Sequence, residues 1–261
     1  MAQLFGRGIT SLPAVTKNII IINALIWLVE VIWPAFGANG IVRHLGLHYV
    51  GASQFNPVQI ITYMFVHDQN TFFHVFFNML TLFFFGPALE RIWGAKRFLL
   101  YYMVCGVGAA LIQEGVWALE WQHTLRQWSD SYTAALAQAH GISYEQAFNI
   151  VQEGFASKNE TLMAMVESVK NGMVTVGASG AIFGILLGFA FIFPNMPLYL
   201  FFIPIPIKAK YMVAGYAVIE FFCGVSGAMS TVAHFAHLGG MLFGLGLLLY
   251  WKKKGNLTGW Y

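Results

Sequence analysis

Apolar residues gather along this chain into runs at 18–37, 73–92, 97–119, 175–193, 209–225 and 232–251, each long enough to cross a bilayer as a helix. They predict about six membrane helices. The segments between the runs differ in character. Residues 38–72 hold Pro57, several glycines and the apolar or aromatic Phe55, Ile60, Ile61, Tyr63 and Phe65 without a full spanning length, which predicts a segment that lies in the interface or re-enters. From Leu119 to Gly172 the composition shifts to Gln, Ser, Glu, Asn and Lys. Apolar residues there recur at helical intervals around Tyr144–Val151 and Leu162–Val166, so this stretch predicts an external amphipathic helical excursion that covers the membrane surface. Phe193-Pro194-Asn195-Met196-Pro197 stops one helix, and Ile203-Pro204-Ile205-Pro206-Ile207-Lys208 leads into the next. No internal repeat, phosphate-binding glycine loop or low-complexity tract interrupts this order.

Composition agrees with the pattern. The 261 residues are 58% hydrophobic and only 10% charged, against about 25% charged in a typical soluble domain. The class is a polytopic membrane protein, and the net charge of +3 carries no nucleic-acid footprint. Charge placement says more than its sum. With the N-terminus inside, the inner flanks receive Arg7, Lys17, Arg91, Lys96, Arg97, Lys208, Lys210 and Lys252–Lys254, whereas the outer ones receive Arg43, Arg126, Lys158 and Lys170. That asymmetry predicts both termini on the cytoplasmic side, as in a bacterial inner membrane. The first apolar run lacks a small-residue cleavage site and is expected to be a retained span. Cys105 and Cys223 lie within apolar runs and are read as packing residues. The Asn159-Glu160-Thr161 sequon matters only in a glycosylating compartment.

Against this apolar background a few polar groups stand out. Gly177-Ala178-Ser179-Gly180 opens the fourth run, and Ala236-His237 stands near the start of the last. Gly180, Gly184 and Gly188 on one run, and Ala236, Gly240 and Gly244 on the other, have the spacing that lets membrane helices approach closely. A Ser–His hydrogen bond requires such an approach. His74 and Asn78, at i and i+4, share one face of the second run. Under the topology above all four groups fall near the outer ends of their helices. Amide hydrolysis needs a nucleophile, a base that later protonates the leaving amine, and donors aimed at the oxyanion. Ser179 would attack, His237 would act as base and acid, and Asn78, with His74 and the Ser179 backbone N–H, would serve the oxyanion. No acid stands at an evident position to orient His237, which makes the pair a dyad, with Phe183 placed to stack on the imidazole. His234 is a rival base. Glu30 and Glu220 are explained by positions near the outer interface or along a cavity, and His67 reads as interfacial.

Taken together, Gly177-Ala178-Ser179-Gly180 with Gly184, Ala236-His237 with Gly240 and Gly244, and His74-Val75-Phe76-Phe77-Asn78 resemble the motifs of the rhomboid intramembrane serine proteases. The resemblance implies an all-α membrane protein, a six-transmembrane-helix rhomboid bundle over residues 1–261 with an interfacial first loop and 119–172 as an external insertion. It also implies a Ser179–His237 dyad in a water-filled cavity open to the outer side, Asn78 and His74 beside the oxyanion, and cleavage of single-span transmembrane proteins in the lipid bilayer. No cofactor or metal is expected. The chain departs from the pattern in three places: Thr62-Tyr63 stands near the site of the usual Trp-Arg pair, Phe183 replaces a common Tyr, and the long insertion is extra. Two other classes would leave different marks on the chain. A catalytically silent rhomboid-like escort would lack Ser179 or His237, and a small transporter would carry broken helices in two matching halves.

Overall fold

The computed structural model describes residues 12–33, 40–68, 71–200, 203–227 and 233–255. The N-terminal segment with Arg7, the last residues of the first apolar run and the outermost C-terminal tail lie outside them. The described chain is mostly helical: α1 (Ala14–Ile32), α2 (Phe72–Trp93), α3 (Ala95–His140), α4 (Tyr144–Ala156), α5 (Glu160–Gly172), α6 (Ser179–Ile192), α7 (Ala209–Ser226) and α8 (His234–Lys253), with short helical turns at Val42–Leu45 and Gln59–Phe65.

Among the described residues four helices, α1, α2, α3 and α8, are long and apolar enough to cross a membrane. The other two of the six predicted spans fall short for different reasons. Helix α6 has 14 residues, about 21 Å at ~1.5 Å per residue, against a hydrocarbon core of about 30 Å. Helix α7 has the length, at 18 residues, but its apolar content is diluted by Lys210 and Glu220. Burial in α1 is inverted relative to a soluble helix. Thr16, Asn23 and Glu30 are buried while Ile21, Leu25 and Ile32 are exposed, the distribution expected where lipid is the solvent.

The residues form two compact units, one comprising residues up to 47, 57–113 and from 175 onward, the other 48–56 and 114–174. In the first, α6 is the central element. Ten of its residues are buried, among them Gly180, Gly184 and Gly188, and it packs on α8, α2 and α7. The glycine stripes predicted for close approach do meet: a Cβ on Gly240 would run into the carbonyl of Gly180, and one on Gly184 into Cys105 of α3. Tyr101 crosses this seam and donates to Gly184 O at 2.8 Å. The first loop is anchored by Thr62 and Tyr63. Thr62 Oγ1 donates to Leu45 O at 2.8 Å, and the buried Tyr63 donates to Gly106 O at 2.8 Å.

At the opposite end of α2, Glu90 ties down the start of α1. Its carboxylate accepts from Val15 N at 2.9 Å, Thr16 N at 2.7 Å and Thr16 Oγ1 at 2.7 Å, so two of the otherwise unpaired N–H groups of a helix N-terminus meet a negative charge. Glu90→Ala would leave these donors buried without a partner. A loss of about 2–3 kcal/mol is expected, to be read as a lowered unfolding midpoint in detergent, with Glu90→Gln recovering part of it.

The proline-rich stretch after α6 is more than a break. Pro197–Leu200 and Ile203–Lys208 form an antiparallel hairpin, β1 and β2, with Pro197 opposite Lys208 and Leu198 opposite Ile207. Alternating Ile and Pro from Ile203 has the strand period of two, and proline is tolerated on an edge.

The second unit is built from the continuation of α3 past Gln113 with α4, α5 and residues 48–56. The predicted helical excursion is present, and α3 runs unbroken to His140, past the end of the apolar run at 119. Ser143 and Gln146 form a reciprocal capping box at the start of α4, and Asn159 caps α5. Glu114 accepts from Val50 N at 2.8 Å, and Asn171 Oδ1 from Gln54 N at 3.1 Å, which fixes the 48–56 segment to α3 and α5. Burial pushes the Glu167 carboxyl up, but hydrogen bonds from Ser53 and the Lys170 ammonium outweigh it and hold the group below the usual carboxylate range.

Candidate active site

The turn that precedes α6 depends on one glycine. Gly177 has φ +122°, a conformation L side chains rarely adopt, and a Cβ there would lie 2.7 Å from His74 Nε2. Its N–H donates to Tyr63 O at 3.0 Å, which ties the turn to the first loop. This turn delivers Ser179 as the first residue of α6. On the facing helix, His237 lies one turn into α8 and is buried. Close backbone approach at Gly180 and Gly240 brings the two together: Ser179 Oγ lies 2.8 Å from His237 Nε2, within hydrogen-bond distance. Phe183, one turn after Ser179, stacks on the imidazole at 4.3 Å between centroids with the planes 6° apart.

The other side of the turn holds two residues from α2 and one from the loop before it. His74 packs against Gly177 and edge-on to His67, with ring centroids 5.0 Å apart. Asn78 Nδ2 lies 3.2 Å from His67 Nε2, the same nitrogen that accepts from the backbone N–H of Ala178 at 3.4 Å. His67 is therefore a partner of this turn and not a surface residue. It is fully buried, and burial together with nearby His74 pushes its pKa down to about 3, which keeps the ring neutral and its Nε2 an acceptor. His74, Asn78, Ser179 and His237 thus gather around one turn, with His67 as a partner that sequence reasoning set aside.

Sequence reasoning also found no acid for His237, and here the structure differs. Glu220 of α7 places Oε2 2.9 Å from His237 Nδ1 and 2.7 Å from His234 Nδ1. The His234 N–H is aligned on that oxygen. For His237 the oxygen lies off the line of its Nδ1–H, so the contact is close without being an aligned hydrogen bond. Nothing in the spacing announced it, because Glu220 lies on another helix, across a loop from both histidines. The available signal was an ionisable residue in an apolar run, read as interfacial. His234 bonds to the carboxylate, and the Ser179 hydroxyl bonds to His237.

Glu220, His234 and His237 bring donor atoms within 4.8 Å of one another, a set that invites comparison with a cation site. Tetrahedral zinc with bonds of about 2.0 Å holds neighbouring ligand atoms about 3.3 Å apart. Separations of 2.7 and 2.9 Å are shorter than that. The trio reads as a carboxylate that His234 hydrogen-bonds and His237 closely approaches.

The sequence matches the Rhomboid domain over residues 54–120 and 138–254, well over half of the chain. It belongs to the rhomboid family. No curated protein matches the chain. Every residue that meets at the Gly177 turn, and Glu220 and His234 beside it, falls inside the matched ranges. Residues 121–137, between the two matched ranges, lie within α3. Rhomboid domains are those of intramembrane proteases that act on transmembrane substrates in the bilayer, and this chain is an integral membrane protein.

Proposed function

We propose that this rhomboid is an intramembrane serine endopeptidase in which Ser179 is the nucleophile and His237 the general base and acid. The observation that carries this reading is the 2.8 Å contact between Ser179 Oγ and His237 Nε2 at the mouth of a glycine-packed helix pair. His237 Nε2 takes the hydroxyl proton as Oγ bonds to the scissile carbonyl carbon. The oxyanion that forms meets the backbone N–H of Ser179, unpaired as the first residue of α6, with Asn78 and His74 as further donors. Asn78 has a second amide N–H beyond the one directed at His67. Collapse breaks the C–N bond, and the proton on Nε2 passes to the leaving amine. Water then repeats the sequence on the acyl-enzyme.

The substrates are single-span proteins with small or helix-weakening residues near the outer face, because a peptide bond has to leave its helix before Ser179 can reach it. The short α6 supports a recessed site, since a helix of about 21 Å leaves its first residue below the membrane surface. An apolar cleft of about 470 Å³ between α2 and α7, lined by Phe84, Phe85, Phe189, Met212 and Tyr216, offers a surface for a transmembrane segment. Six spans, with both termini cytoplasmic in a bacterial inner membrane, complete the reading and rest on the Lys and Arg flanks.

The test is cleavage of a tagged single-span protein by the purified chain in liposomes, together with labelling by a fluorophosphonate probe. Wild type is expected to cut and to be labelled, and Ser179→Ala to do neither. Cleavage that survives Ser179→Ala removes the assignment.

A further inference from the structure

Phe183 fixes the plane of the His237 ring by stacking, but an apolar ring cannot choose which nitrogen carries the proton. The reaction requires that choice: Nε2 has to be free of its proton to accept one from Ser179, so Nδ1 has to hold the other. The atom beside Nδ1 is a carboxylate oxygen, 2.9 Å away. We infer that Glu220 is a positioning residue for the reaction, holding His237 in the tautomer with a free Nε2 and balancing the imidazolium that forms during proton transfer. This rests on the reading of Ser179 and His237 given above.

Three features carry the inference. First, a carboxylate is an acceptor only, so its approach favours a proton on Nδ1. Second, the pair is shielded, with the side chains 9% exposed for His237 and 14% for Glu220, so the charge acts through a medium of low dielectric. Third, the carboxylate is itself held. His234, three residues before His237 on α8, donates an aligned hydrogen bond of 2.7 Å to the same oxygen. His237 Nδ1 shares that oxygen off-line at rest, and a small rotation of ring or carboxylate aligns it as positive charge develops. Through both acylation and deacylation Glu220 stays ionised; the proton travels only between Oγ, Nε2 and the leaving amine or water.

The competing account is a plain staple, in which Glu220 and His234 tie α7 to α8 without touching the chemistry. The two accounts separate on kinetics. Wild type, Ser179→Ala, Glu220→Gln and Glu220→Asp are compared in liposomes on the tagged single-span protein across substrate concentration, with the rate of fluorophosphonate labelling and the melting temperature measured on each. Glu220→Gln is expected to lower kcat and the labelling rate about 10- to 100-fold with KM within about twofold, less than the ~10⁴-fold of a fully aligned triad acid because the oxygen is shared and off-line. Glu220→Asp keeps the charge but withdraws it by one methylene, so kcat falls only about 3- to 10-fold.

Wild-type kcat and labelling rate in Glu220→Gln, or a lowered melting temperature with kcat intact, overturns the inference and leaves the staple. If Glu220→Gln does not fold, Glu220→Asp decides, and an unchanged kcat there overturns it. A wild type whose cleavage survives Ser179→Ala removes the dyad reading and this inference with it. Normal Ser179 dependence with an indifferent Glu220 removes this inference alone.

Discussion

Replacing Ser179 and His237 together by alanine is expected to lower kcat no further than either replacement alone, each costing roughly 10⁵-fold or more. The reason is that the two side chains form one device. Without Ser179 there is no Oγ–H for the imidazole to deprotonate, and without His237 the hydroxyl keeps its proton at neutral pH and attacks poorly. Their 2.8 Å contact is the physical form of that dependence. If the two residues acted independently, the double variant would lose the product of the single losses, a difference of several decades that cleavage assays can resolve. What survives in all three variants comes from donors around the oxyanion and from substrate binding. The measurement is single-turnover cleavage in liposomes at saturating substrate. A double variant far slower than both single variants would mean that His237 serves some other step and that its hydrogen bond to Ser179 is incidental.

What the sequence could tell follows from which features are local. Glycines at spacing four in two apolar runs specify that two helices approach closely, because small residues at one face have no other packing consequence. Hence the α6–α8 seam and the Ser179–His237 pairing that it permits could be read in advance. His74 and Asn78 were legible for a similar reason, as two polar groups on one face of an apolar helix. Glu220 and His67 were not. Each acts through a partner on another element, Glu220 on His234 and His237, His67 on Asn78 and Ala178, and such pairings have no sequence spacing. The full length of α3 was not legible, because the shift to polar residues at Leu119 ends the apolar run without ending the helix. Between Leu119 and His140 there is neither glycine nor proline, so the helix continues after its composition ceases to suit lipid. The hairpin at 197–208 was hidden by its prolines, which mark helix ends and edge strands alike.

The largest effect on folding is expected at Gly240. Helices α6 and α8 meet there backbone to backbone: a Cβ added to Gly240 collides with the carbonyl oxygen of Gly180 and lies 2.7 Å from its carbon. A side chain in the way could rotate aside, but a peptide carbonyl inside a helix cannot move without breaking its own hydrogen bond or pushing the helices apart. Overpacking typically costs about 1–3 kcal/mol, and this clash, with no rotamer to relieve it, is expected at roughly 3 kcal/mol or more for Gly240→Ala. Separation of the helices would also lengthen the Ser179–His237 contact, so fluorophosphonate labelling should fall with stability. Gly246, on the same helix, supplies the control. Nothing lies within 4 Å of a Cβ there, and exchanging glycine for alanine in a helix is worth up to about 1 kcal/mol in favour of alanine. Gly246→Ala should therefore unfold at the same or a slightly higher denaturant concentration than wild type and keep its labelling rate. Equal melting of the two variants would mean that α6 and α8 are not in contact at Gly180 and Gly240. The proximity that brings the serine to the histidine would then need another cause.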